Sequence, residues 1–97
     1  MPRIQETETF SDWISKLRDL EARSRINIRL RRLALGNPGK VKPVGEGVSE
    51  LKIDYGPAYR VYFVERADKT IVVLLCGGDK RTQNDDIRLA KRMAKEI

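Results

Sequence analysis

The chain contains no histidine and one cysteine among its 97 residues. Without histidine, both the commonest general acid–base group and the commonest transition-metal ligand are missing. Any catalysis therefore falls to Lys, Arg, Tyr, Asp or Glu, and neither a metal nor a cofactor is expected. A single cysteine excludes an internal disulfide. Cys76 lies in the apolar run "TIVVLLCGG" and reads as a small buried hydrophobe suited to a reducing cytoplasm. Long apolar runs are also lacking. The longest, Ile71 to Cys76, falls far short of the roughly 20 residues that span a bilayer. "MPRIQETETFSDW" has no apolar segment of the secretory kind, so a soluble cytoplasmic protein with no membrane partner is expected. Repeats, low-complexity stretches and linkers are absent too, which leaves one domain over residues 1–97.

Charge is abundant. Twenty lysines and arginines against fourteen acids give +6 and a pI near 9.8. That balance argues for a polyanionic partner, nucleic acid or acidic protein, and equally describes an ordinary solvated basic surface.

Periodicity orders the chain. Residues 3–9, "RIQETET", alternate loosely as a short strand. Ser11 then reads as an N-cap, with Asp12 in the first turn and Phe10 as a hydrophobic staple. Trp13, Ile14, Leu17 and Leu20 form one apolar stripe, and Ala22, Ile26, Leu30 and Leu33 a second. The slip of register near Leu20 to Arg23 favours a helical hairpin over residues 12–35, stopped by Gly36 and Pro38. "NPGKVKPVGEGVSE" reads as a loop. Leu51 and Ile53 then alternate with Lys52 and Asp54, Gly56-Pro57 turns the chain, and "YRVYFVE" returns with Tyr59, Val61 and Phe63 on one face and Arg60 and Tyr62 on the other. "RADK" turns again into the apolar strand "TIVVLLC", ended by Gly77-Gly78. Thr82 caps a last helix whose stripe is Ile87, Ala90, Ala94 and Ile97, flanked by Leu89 and Met93. The expected fold is α+β, β-α-α-β-β-β-α, a small antiparallel sheet with helices packed largely on one side. The bare side would carry Lys52, Arg60 and Tyr62.

Three charge clusters result. Lys52 and Arg60 sit side by side on one hairpin, where like charges repel; Glu50 or Asp54 would neutralise them on the plain salt-bridge reading. Lys80 and Arg81, in "GGDKRT", fall between a strand end and a helix start, a place that favours anions. "RSRINIRLRRL" puts Arg23, Arg25, Arg29, Arg31 and Arg32 on a helix, as a solvated face or as a docking surface. Convergence of Lys52, Arg60, Lys80 and Arg81 would make a catalytic cationic site for RNA. Its cations would hold phosphate, a lysine of lowered pKa would act as base, and Lys40, Lys42, Tyr55 and Tyr62 would bind RNA by charge and stacking.

The runs "GNPGKVKPVGEGVSELKIDYGPAYRVYFV" and "VVLLCGGDKRTQNDDIRLAK" resemble the RelE/ParE superfamily of bacterial type II toxins, in particular its HigB-like addiction module killer branch. The resemblance implies the same element order and a cognate antitoxin, in this branch usually a small helix-turn-helix protein that carries the pair to operator DNA. It also implies metal-free cleavage of mRNA on the ribosome. By position it carries the family's basic residues onto Lys52, Arg60, Lys80 and Arg81. The chain departs from the pattern in having Glu50 and Asp54 at positions basic in RelE, and no tyrosine near Asp86 and Ile87; Tyr55 or Tyr62 would have to substitute. Two rival readings are a ParE-like inhibitor of DNA gyrase and a non-catalytic module binding RNA or a partner.

Overall fold

A computed structural model describes residues 2–97. Strand β1 (Arg3–Glu6) leads into a helical hairpin, α1 (Glu8–Lys16) and α2 (Leu20–Ala34). Strands β2 (Val41–Gly45), β3 (Val48–Ile53), β4 (Tyr59–Arg66) and β5 (Ile71–Gly78) follow. A single 3₁₀ turn (Lys80–Thr82) then leads to α3 (Gln83–Glu96). The sheet order is β1-β5-β4-β3-β2. The α+β class and the helical hairpin are as expected from the sequence.

Local chemistry sets the helix ends. Thr7, not Ser11, is the N-cap of α1: its hydroxyl accepts from the Phe10 amide at 3.1 Å and donates to the Leu75 carbonyl at 2.6 Å. One hydroxyl thus starts the helix and ties it to the central sheet, while Ser11, inside the first turn, donates to Glu6. Asp19 caps α2 by accepting from the amides of Glu21 and Ala22. Leu20, placed in the core stripe by spacing, is 72% exposed, because the chain breaks before it and α2 starts in a new register. At the other end Ile97 is likewise exposed.

Two strand assignments change. The stretch read as a loop contains β2, which pairs antiparallel with β3. Pro43 and Gly45 hid it, yet both are tolerated on an edge strand, where one row of backbone groups faces solvent. The strand β1 pairs parallel with β5, so the sheet is mixed and not purely antiparallel.

The larger correction concerns the faces. Helices α1 and α2 cover one, burying Phe10, Ile26, Leu30, Leu51, Val61 and Leu74 among others. The other is not bare, because α3 lies across it, packing Ala90, Ile87 and Met93 on Val48, Tyr62, Val64, Leu75 and Cys76. Each large apolar side chain so buried contributes about 1.5–3 kcal/mol. Both helical layers approach β5 closely at its two glycines. A Cβ on Gly77 would lie 2.3 Å from the Trp13 ring, and one on Gly78 would lie 1.8 Å from Oδ2 of Asp86. The glycine pair is therefore a seat for an indole on one face and a carboxylate on the other.

Candidate anion-binding site

Helix α3 leaves part of its face open, over the β2–β3–β4 end. Strand register decides what stands there. Lys52 pairs with Arg60 and Arg60 with Gly78, while Lys42 pairs with Glu50 and Glu50 with Tyr62. Alternation turns all of these side chains to the α3 face. The open part is a pocket of roughly 370 Å³ lined by Lys40, Val41, Lys42, Glu50, Lys52 and Arg60.

Glu50 organises its floor. The carboxylate is 1% exposed, and Oε2 accepts from the Tyr62 hydroxyl at 3.0 Å and from Nε2 of Gln83, the first residue of α3, at 2.9 Å. Arg60 lies beside it, Nε at 3.9 Å from Oε2, and Lys42 Nζ is 3.8 Å from Oε1. The Arg60 side chain is 7% exposed; its Nη1 donates to the Ala58 carbonyl at 2.9 Å, whereas its buried Nε–H has no acceptor. A buried donor left unmet costs about 1–3 kcal/mol; here the charge of Glu50, just beyond hydrogen-bond distance, offsets part of that cost. Above it, Lys40, Lys42 and Lys52 are 73%, 65% and 41% exposed. Asp54 bridges Lys40 at 2.7 Å and Lys52 at 3.5 Å. Those contacts, the Lys40 hydrogen bond first, hold its carboxyl below the ordinary 3.8. Four cations thus share two carboxylates, Lys42 and Arg60 near Glu50 and Lys40 and Lys52 on Asp54, which leaves a net positive concave site suited to a phosphodiester.

The expected site residues separate into two groups. Lys52 and Arg60 do meet, with Lys40 and Lys42 beside them. Lys80 and Arg81 do not line the pocket. The Lys80 amide bonds the Pro57 carbonyl at 3.2 Å, which brings the 3₁₀ turn to the tip of the β3–β4 hairpin. The Arg81 guanidinium folds back on Asp79, with Nη2 2.9 Å from Oδ2. That bond, before any other cause, holds the Asp79 carboxyl below its ordinary value.

Neither tyrosine is available to stack on a base in this pocket. Tyr62 faces as its alternation requires but is fully buried under α3. Burial first, and the Glu50 charge next, push its hydroxyl pKa up. Tyr55 packs with the α1–α2 side, donating its hydroxyl to Asp19 at 2.9 Å under the Arg25 guanidinium, 4.7 Å from the ring centroid. Glu50, which the sequence offered only as a salt-bridge partner, does lie beside Arg60, and Asp54 beside Lys52; what sequence reasoning missed is the burial of Glu50. Its signal was available: an acid at strand alternation shares a face with two cations, and here that face is covered.

The family model described as "Phage derived protein Gp49-like (DUF891)" matches residues 12–95. An uncharacterized protein of Haemophilus influenzae strain Rd is 48% identical over 95 residues, 98% of this chain and 95% of that one. Among solved structures, a chain of the intact E. coli RelBE toxin-antitoxin complex superposes with a TM-score of 0.69 at 17% identity, over 81% of this chain and 96% of its own.

Proposed function

We propose, from the premise that this chain belongs to the Gp49-like family of phage-derived proteins and has the RelE fold, that it is the toxin of a bacterial toxin–antitoxin pair. Its activity in this reading is metal-independent endonucleolytic cleavage of mRNA on the ribosome, in the cytoplasm. A cognate antitoxin, a small helix-turn-helix protein, neutralises it and alone contacts operator DNA.

The observation that carries the reading is the pocket that Lys40, Lys42, Lys52 and Arg60 line together with Glu50. A phosphodiester there sits between Lys42 and Lys52, above Arg60. As the phosphodiester draws Lys42 away from Oε1 of Glu50, from which its Nζ is 3.8 Å, that otherwise buried oxygen takes the proton of the ribose 2′-hydroxyl while the hydroxyl oxygen attacks phosphorus. Arg60 and Lys52 stabilise the charge that builds on the phosphoryl oxygens. Lys42 delivers a proton to the departing 5′-oxygen, leaving a 2′,3′-cyclic phosphate and a 5′-hydroxyl. In this reading the base is the Glu50 carboxylate, whose other oxygen is occupied by Tyr62 and Gln83, in place of the lysine expected on sequence grounds. Lys80 and Arg81, exposed on the 3₁₀ turn, guide RNA outside the pocket.

Primer extension on ribosome-associated mRNA after induction tests this. New 5′ ends are expected with the natural chain and are expected to vanish in Glu50→Gln and Lys52→Ala variants that remain folded. Unchanged mRNA, with cleaved DNA trapped on gyrase, would put the ParE-like reading in its place.

A further inference from the structure

The arginine-rich helix takes no part in that chemistry. Its outer side is unusual in another respect. Among the described residues the exposed large apolar side chains are Leu20, Ile28, Leu35 and Ile97, and all but the last belong to α2 or its ends. Ile28 and Leu35 are seven residues apart and share one side of the helix, with Arg25 and Arg32 at the same spacing beside them. A solvated basic face has no need of that aliphatic row.

Behind it lies a groove of roughly 590 Å³, between α2 and the entry to β2, lined by Ile28, Ile53, Arg25, Arg29, Arg32 and Lys40 with two acids. Arg29 is the wall. Its guanidinium donates to the carbonyls of Pro38, Lys40 and Lys52, the last at 2.7 Å. It is therefore fixed in place, and burial together with the neighbouring Arg32 charge disfavours its ionised form. Both acids are already engaged, Glu21 with Arg25 and Asp54 with Lys40 and Lys52. Among the described residues no carboxylate pairs with Arg31 or Arg32.

We infer that this groove is a docking surface for an acidic amphipathic segment of another protein, which inserts an aliphatic side chain between Ile28 and Ile53 and sets carboxylates on Arg32 and Arg31. Charge and apolarity together select that occupant. A second copy of this chain, with the same arginines and a net charge of +6, repels itself here. A nucleic acid would satisfy the arginines but would leave the aliphatic row in water, against Glu21 and Asp54. The groove meets the pocket at Lys40, which lines both, whereas Lys42 and Glu50 line the pocket alone. The inference depends on neither the endonuclease activity nor the antitoxin.

The test uses the full chain and a synthetic amphipathic peptide with leucines at i, i+4 and i+7 flanked by glutamates, titrated by calorimetry. Its Glu→Lys twin, a short oligouridylate, and sedimentation of the chain alone are the other arms. Binding of the acidic peptide but not its twin is expected, weakened by at least about tenfold, or 1.4 kcal/mol, in Ile28→Glu and in Arg32→Glu. Lys16→Glu, on α1, should bind as the natural chain does. Absence of acidic-peptide binding, oligouridylate binding lost through the same two substitutions, or self-association abolished by Ile28→Glu would each overturn the inference.

Discussion

Removing the Glu50 carboxylate should unsettle the whole α3 face. Glu50→Ala takes away the acceptor of the Tyr62 hydroxyl and of Gln83, and leaves the Arg60 guanidinium, 7% exposed, with no counter-charge at its side. Breaking a buried ion pair from one side costs about 3–5 kcal/mol, a large share of the roughly 5–15 kcal/mol that holds a typical domain folded. Removing both charges is a different perturbation, since an apolar pair of similar volume is often no worse than the buried ions it replaces. Glu50→Leu with Arg60→Met should therefore be more stable than the two single changes summed, by at least about 1 kcal/mol. Urea unfolding measures this directly through Trp13, the sole tryptophan, whose ring packs against Phe10 and Tyr59 at centroid distances of 5.8 and 6.3 Å. A double-mutant cycle additive to within about 0.5 kcal/mol, or a Glu50→Ala variant as stable as the natural chain, would refute the claim that Glu50 neutralises Arg60.

Three further outcomes are expected. Gly77→Ala should destabilise by at least about 1–3 kcal/mol and more than Gly78→Ala, because the indole it strikes is wedged between two rings while the Asp86 carboxylate can rotate; the reverse order in urea would contradict the packing. Burial, opposed by the Thr82 hydrogen bond, raises the Asp86 carboxyl above its ordinary 3.8. Its contribution to stability is complete below that value and is lost as pH rises through the raised one, so Asp86→Asn should gain thermal stability relative to the natural chain at pH 7 and not at pH 3, a shift that melting curves at both pH values report. The Cys76 thiol, 2% exposed and pushed up to about 12 by burial and by Asp86, should resist a thiol reagent until the chain is unfolded; rapid labelling of folded protein would show the α3 face to be open.

Much of this fold is legible in short windows. The two apolar stripes, the break between them and the change from a period near 3.6 to one of 2 are local properties. The β3–β4 hairpin is also local: a Gly-Pro turn and strict alternation already place Lys52 opposite Arg60. The strand β2 escaped notice because its residues are those of a loop, and only the partner β3 makes an edge strand of them. Lys80 and Arg81 follow the same logic. Their sequence neighbourhood suggested the open face, but the Asp79 cap and the Pro57 carbonyl direct the 3₁₀ turn elsewhere.

Amino-acid order alone thus determined which side chains share a face of the β3–β4 hairpin, because alternation and hairpin pairing act over a few residues. Only tertiary structure decided what covers that face. Whether Tyr62 meets a base or lies beneath Ala90, and whether Arg60 stands free or beside a buried carboxylate, depends on where α3 lies. That placement follows from apolar surface shared between segments far apart in the chain, and from two glycines that let helices of opposite layers approach one strand.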